Sequence, residues 1–233
     1  MATDTLVKNA RAARTTIALK LAMATSGLIF IGFVLMHMYG NLKAFGGRDA
    51  FNKYAEHLRT FGEPMLPHEG LLWVIRVVLL VALVVHVASA ARLAARASKS
   101  RPVKYEVKKN KHSSISSRTM RWGGVALLLF IVWHLINFTI GKVNVSGGAT
   151  TDPFNLLVDS FDVWWLTLIY LLAMLALGLH LHHGTWSALQ TLGLTNSARS
   201  RKAAKTTGLI VAVVIAGGFM LVPLFTLFGV ISK

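Results

Sequence analysis

The chain of 233 residues contains no cysteine. That absence excludes disulfides, thiolate-ligated iron–sulfur clusters, Cys-rich zinc sites and covalent haem attachment through Cys-x-x-Cys-His. Any metal or redox chemistry therefore goes through histidine. Charge is scarce as well: Asp, Glu, Lys and Arg together make up 15% of the residues, against about a quarter in an ordinary soluble domain. Acidic side chains are the rarest, 9 against 25 Lys and Arg, which leaves a net charge of +16. In their place stand apolar residues, 54% of the chain, with a mean hydropathy of +0.56. This is the composition of a bilayer protein.

Crossing ~30 Å of hydrocarbon takes about 20 mostly apolar residues. Five stretches are long enough, at residues 18–42, 70–94, 119–141, 161–190 and 205–231. Their apolar centres, 21–42, 70–91, 122–141, 163–189 and 206–232, carry Arg76 as the one charged side chain. The first span follows a basic N-terminus but exceeds a signal-peptide core and lacks a small-x-small cleavage site, so a retained helix is expected. With no internal repeat or low-complexity tract, residues 1–233 read as a single all-α transmembrane domain of five helices.

The basic excess is one-sided. The N-terminal tail holds 4 Lys/Arg, residues 92–121 hold 10 and residues 199–205 hold 4, against only Asp4 and Glu106; the rest of the chain holds seven of each sign. The positive-inside rule then places the N-terminus in the cytoplasm and the C-terminus outside. Nucleic-acid binding is the weaker account of a charge that topology already explains. In the first outer loop Phe51, Tyr54, Ala55, Leu58 and Phe61 recur at helical spacing, which predicts a short amphipathic surface helix. The second, residues 143–162, is rich in Gly, Asn, Asp and Pro and reads as irregular. Trp73, Trp164 and Trp165 near outer ends, with Trp122 and Trp186 near inner ends, fit interfacial aromatic belts.

Ionisable side chains inside a membrane are costly and usually functional. Each of the first four spans carries one such histidine at depth: His37, His86, His134 and His180. At ~1.5 Å of rise per residue, His37 lies ~24 Å and His134 ~18 Å above the inner edge. His86 lies only ~9 Å above it, and His180 lies ~25 Å below the outer edge. His37 and His134 thus share an outer layer, and His86 and His180 an inner one, ~15 Å apart. Two imidazoles facing each other within an apolar helix bundle are what a b-type haem requires, so the pattern predicts two stacked haems in the bundle of the first four helices. A structural histidine bonded to a neighbouring helix is the ordinary alternative for any single one. His182 points away from His180 on the helix, whereas His183 shares its face and remains an alternative ligand. His57, His68 and His112 fall in loops, where solvation is the plain reading.

At these residues the chain resembles the single-chain, five-helix, di-haem cytochrome b anchor of succinate:quinone oxidoreductase, the b558-type membrane subunit of succinate dehydrogenase (complex II). The resemblance runs from about Ser26 to Gly193. It rests on Ser26-Gly27 and His37-x-x-Gly40-Asn41-Leu42, on Leu72-Trp73-x-x-Arg76 with His86, on His134-Leu135, and on His180-x-x-His183-Gly184-x-Trp186-Ser187-x-x-Gln190-Thr191-Leu192-Gly193. The fifth span adds only hydrophobicity. The resemblance implies that His37 and His134 ligate the outer haem iron and His86 and His180 the inner. It also implies a cytoplasmic FAD flavoprotein subunit that oxidises succinate and an iron–sulfur subunit that passes electrons to this chain. Menaquinone or another membrane quinone would be reduced near the outer haem, in the inner (plasma) membrane of a prokaryote. The chain itself has no residues for succinate chemistry.

Glu63, Glu69 and His68 are candidates by location for supplying quinone protons. Arg76, near outer-haem depth, is a candidate partner of haem propionates, with snorkelling to the surface as its alternative. An inner quinone site near Ser89, Arg92 and Ser187 competes with the outer one. The loop 92–121 is a candidate docking surface for the iron–sulfur subunit, with anionic lipid as the competing partner. A different class of function, a transporter whose histidines bind a transition metal or relay protons, would want carboxylates in the spans, and the spans contain none.

Overall fold

The structure is a computed structural model that describes residues 15–100, 115–140 and 143–233. Those residues form helices and connecting turns, with no strand among them. Helix α1 spans Thr16–Leu42, opened by Thr15, whose hydroxyl accepts the Ala18 N–H at 3.1 Å. A 3-10 turn at Lys43–Gly46 and Gly47, at φ 80, turn the chain into α2, Gly47–Thr60. Helix α3 is Gly70–Lys99, α4 is Ile115–Leu135, and α4 runs into a π-helical turn at Ile136–Ile140. Then come α5 (Pro153–Phe161), α6 (Trp164–Thr191) and α7 (Ala198–Leu227). Ser197 and Ser200 form a reciprocal capping box that starts α7.

Five of these helices, α1, α3, α4, α6 and α7, are long and apolar enough to cross a membrane. At 30 residues, α3 is ~45 Å long, well beyond the hydrocarbon thickness, so Arg92, Arg96 and Lys99 ride on a polar extension of the span. Outward faces are apolar: Leu80, Val84, Leu129 and Val213 are each more than half exposed, as lipid-facing residues are. Since lipid is as apolar as leucine, helix association depends on close approach of small residues. A Cβ on Gly208 would stand 2.7 Å from the His182 carbonyl oxygen, and one on Gly178 would meet Ala216 Cβ at 3.2 Å. Those two contacts seat α7 along α6.

The segment 143–162, expected to be irregular, contains a helix whose residues Phe154, Leu156, Leu157, Val158, Ser160 and Phe161 are buried. Asp152 accepts from the Phe154 and Asn155 N–H groups, Pro153 occupies the first turn, and Phe154, Leu157, Val158 and Phe161 recur at helical spacing. The resulting α5 has too few residues to span a bilayer and instead plugs one end of the bundle, packed with Leu166, Tyr170, Val222 and Ile231. Its Gly-, Asn- and Asp-rich approach hid this apolar period. The expected surface helix is present as α2 and is tied to α5 by Arg48 to Asp152 at 2.6 Å, by Asn52 to Asp152 at 3.0 Å and by Phe51 edge-on to Phe154. Burial would raise the Asp152 pKa, but hydrogen bonds from Asn52, Asn155 and Arg48 and the Arg48 charge outweigh it and hold the carboxyl below its ordinary range. Lys233 closes the same end through an ion pair with Asp159.

Candidate functional site

The paired histidines sit on helices that scarcely pack against each other. Among the described residues, α1 lies along α3, α6 and α7, and α4 lies along α6, while α1 and α4, and likewise α3 and α6, approach chiefly through side chains. Across the first gap His37 and His134 face each other with ring centroids 5.7 Å apart and planes at 82°. Across the second, His86 and His180 stand 6.1 Å apart at 54°. The α1/α4 pair lies at the end plugged by α5; the α3/α6 pair lies towards the other.

The first pair is walled by aromatic rings. Phe33 stacks on His37 at 5.3 Å, Phe219 of α7 tilts against it at 5.7 Å, and Phe130, Phe138 and Tyr170 surround His134. Tyr170 and Asn137 connect His134 to the plug: Tyr170 Oη lies 3.4 Å from His134 Nδ1 and donates to Asn137 Oδ1 at 2.9 Å. Asn137, fully buried on the π turn, donates in turn to the Val143 carbonyl at 2.8 Å and to Ser160 of α5 at 3.3 Å. None of Tyr170, Asn137 or Phe219 stands out in the sequence; a π turn just past an intramembrane histidine is a known mark of functional sites, but no residue pattern announces it.

The second pair has sparser surroundings. Ser26 Oγ is 3.2 Å from His86 Nδ1, and Phe30 meets His86 edge-on at 6.1 Å. Gly27 and Gly124 leave room beside the rings: a Cβ at Gly27 would come within 3.5 Å of His86 Cε1, and one at Gly124 within 3.7 Å of His180 Cε1. His180 Nδ1 is buried with no hydrogen-bond partner. A cleft of about 380 Å³ opens beside it between α4 and α6, bounded by Met120, Trp122, Gly123 and Leu179. Among the described residues the ring facing His86 belongs to His180, and neither His182 nor His183 makes ring contact with it.

These residues fit a bis-imidazole haem. Metal–imidazole bonds of ~2.0 Å on opposite sides of one iron place the ring centroids about 6 Å apart, close to both observed separations. The gaps between the partner helices and the aromatic walls suit a flat apolar group. Among the described residues no three His, Asp or Glu side chains converge on one point, so a metal held here must bring its other ligands with it, as an iron porphyrin does.

The remaining candidates lie between α2 and α3. Arg59 reaches Glu56 at 3.1 Å and Glu69 at 3.6 Å, and Arg76 reaches Glu69 at 3.6 Å while lying over the Trp73 ring at 4.8 Å. Glu69 itself has the left-handed φ of 59. His68 pairs with Glu63 at 3.2 Å, both well exposed. Glu63, His68 and Glu69 are therefore gathered on one short connection. Arg76 is turned towards Glu69 and Trp73. Lys104, Lys108, Lys109 and Lys111, in the basic connector, and His112 lie outside the described residues.

A polytopic all-α membrane protein with two facing pairs of intramembrane histidines is the class that this fold and site define. The chain matches the succinate dehydrogenase/fumarate reductase transmembrane subunit family over residues 97–229, more than half its length, and belongs to that family. It is thus a multi-pass membrane subunit of a succinate dehydrogenase/fumarate reductase complex, and family members are cytochrome b type subunits that generally bind haem. The matched region holds His134 and His180; His37 and His86 precede it. No curated protein and no solved structure matches the chain.

Proposed function

We propose that this chain is the di-haem, b558-type anchor of succinate:quinone oxidoreductase in a prokaryotic inner membrane. Its N-terminus faces the cytoplasm, where the FAD flavoprotein and iron–sulfur subunits dock. The observation that carries the reading is the facing of four intramembrane histidines as two pairs, each at the spacing of a bis-imidazole iron. Two b haems bound there supply one-electron transfer between the iron–sulfur subunit and a membrane quinone, with menaquinone as the expected acceptor. His37 and His134 hold the outer group, and His86 and His180 the inner one; His183 is the reserve ligand if His180 is not used.

The chain's own residues do the rest. Phe33, Phe130, Phe138 and Phe219 keep water from the outer pair. Glu63, His68 and Glu69 stand at the water boundary beside α2, where a quinone that gains two electrons collects its two protons. Arg59 and Arg76 orient Glu69, and Arg76 also stands as a propionate partner. Lys104, Lys108, Lys109 and Lys111 form the docking surface for the iron–sulfur subunit. Neutralising all four together releases the soluble subunits and leaves both haems in place; unchanged co-purification at moderate salt assigns the loop to lipid.

The deciding experiment is a reduced-minus-oxidised visible spectrum of the purified chain with haem quantified per polypeptide. Two b-type haems per chain are expected. A purified, folded chain without any haem spectrum would sink the reading.

A further inference from the structure

The hydrogen bonds behind His134 run in one direction. Asn137 is oriented by its amide nitrogen, which donates to the Val143 carbonyl at 2.8 Å and to Ser160 Oγ at 3.3 Å. Its oxygen can only accept, and it takes the Tyr170 proton at 2.9 Å. With that single proton committed, Tyr170 Oη meets His134 Nδ1, 3.4 Å away, with a lone pair. A neutral imidazole carries one N–H, and an acceptor placed at Nδ1 draws it there, leaving Nε2 as the free donor of electrons. The other pair has a shorter version of this arrangement: Ser26 Oγ donates to the Ala22 carbonyl at 2.7 Å and so meets His86 Nδ1, at 3.2 Å, as an acceptor.

We propose that Tyr170 and Asn137 are positioning residues that lock His134 into its Nδ1–H tautomer from the α5 plug, and thereby hold down the outer haem's potential. The second half rests on reading His134 as a haem ligand; the first does not. An accepting partner on Nδ1 makes the imidazole a stronger electron donor through Nε2, which favours oxidised iron. Because the chain of donors ends on Ser160 and the Val143 carbonyl, the plug and the ligand are one mechanical unit.

Tyr170→Phe tests this with least disturbance, since it keeps the ring edge-on against Phe130 at 4.9 Å and Phe161 at 5.0 Å and deletes one hydroxyl. In the full chain with its soluble subunits, the outer-haem reduction equilibrium should move about tenfold towards the reduced form, about 59 mV for a one-electron couple, while the inner potential stays. In Asn137→Leu the tyrosine proton is free to turn onto Nδ1, so outer-haem content should fall with the inner haem retained as the folding control. A second readout needs no haem: nitrogen-15 histidine spectra of the full chain produced without haem, with the His134 signals identified by their loss in His134→Ala. Wild type should show protonated Nδ1 and bare Nε2, and Tyr170→Phe a mixture of tautomers. Equal shifts of both haems, an unshifted outer haem, or an unchanged nitrogen pattern in Tyr170→Phe would each overturn the proposal. If wild type binds no haem at all, the functional reading fails and the nitrogen spectra alone decide the tautomer lock.

Discussion

At the α5 end of the bundle a histidine pair stands among five aromatic rings, under a buried helix and a continuous chain of hydrogen bonds. At the other end the second pair has one hydroxyl, one phenylalanine, two nearby glycines and a cleft open to the side. The first set of residues resists movement, because Tyr170, Asn137 and Ser160 are joined by hydrogen bonds within one packed cluster. The second leaves His180 Nδ1 unsatisfied and its surroundings free to adjust. On the proposed two-haem reading, identical ligand chemistry in unequal surroundings would give the two centres different potentials, since hydrogen bonding and burial around the ligand tune the metal.

The sharpest way to break this comparison is to delete ligands one layer at a time. His37→Ala or His134→Ala should abolish the outer haem and spare the inner, and His86→Ala or His180→Ala should do the reverse, as counted by pyridine haemochrome and low-temperature spectra. His183→Ala should retain both; loss of the inner haem there, with retention in His180→Ala, moves the ligand to His183. Next in size is turnover. Without the outer haem, succinate-dependent quinone reduction should collapse while succinate still reduces the inner haem; turnover that survives would place quinone at the inner site near Ser89, Arg92 and Ser187.

Loosening the plug should be felt at one end only. Phe154→Ala empties a side chain that is 1% exposed and should cost about 3–5 kcal/mol. Thermal denaturation followed by visible absorption should then show the outer haem released well before the inner one; simultaneous release would mean that the two ends unfold together. The smallest effect belongs to the clasp between α2 and α5. The Asp152 carboxyl is held below its ordinary value of 3.8, so its contribution is complete above that pH and is lost as pH falls through the lower folded value. With Arg48 more than half exposed, the pair contributes at most about 1 kcal/mol. The stability gap between wild type and Asp152→Asn should be constant near neutrality and close below pH 3.8; a gap that widens on acidification would contradict the assignment.

Membrane architecture was readable from the chain because it depends on one-dimensional quantities. Hydropathy over about 20 residues marks a span whatever it packs against, and rise per residue turns sequence position into depth. Depth alone therefore sorted His37 with His134 and His86 with His180, and the structure places those same rings 5.7 and 6.1 Å apart. Helix α2 was legible too, from an apolar stripe among charges, and α3 was legible apart from its basic extension to Lys99.

Rotation about each helix axis and the course of the loops were not legible, because in lipid both faces of a span are apolar and no moment distinguishes them. Tyr170 and Phe219 look like any lipid-facing aromatic until α6 and α7 are packed and turned inward by Gly178 and Gly208. Asn137 owes its place to a π turn, and α5 owes its helix to burial against Val222 and Ile231, far away in the chain. Local composition in 143–162 favours turns, and nonlocal packing overrides it. The number of spans and the depth of the histidines were thus written into the chain by length and polarity. The support behind each histidine, and with it the difference between the two ends, arises only when distant segments are brought into contact.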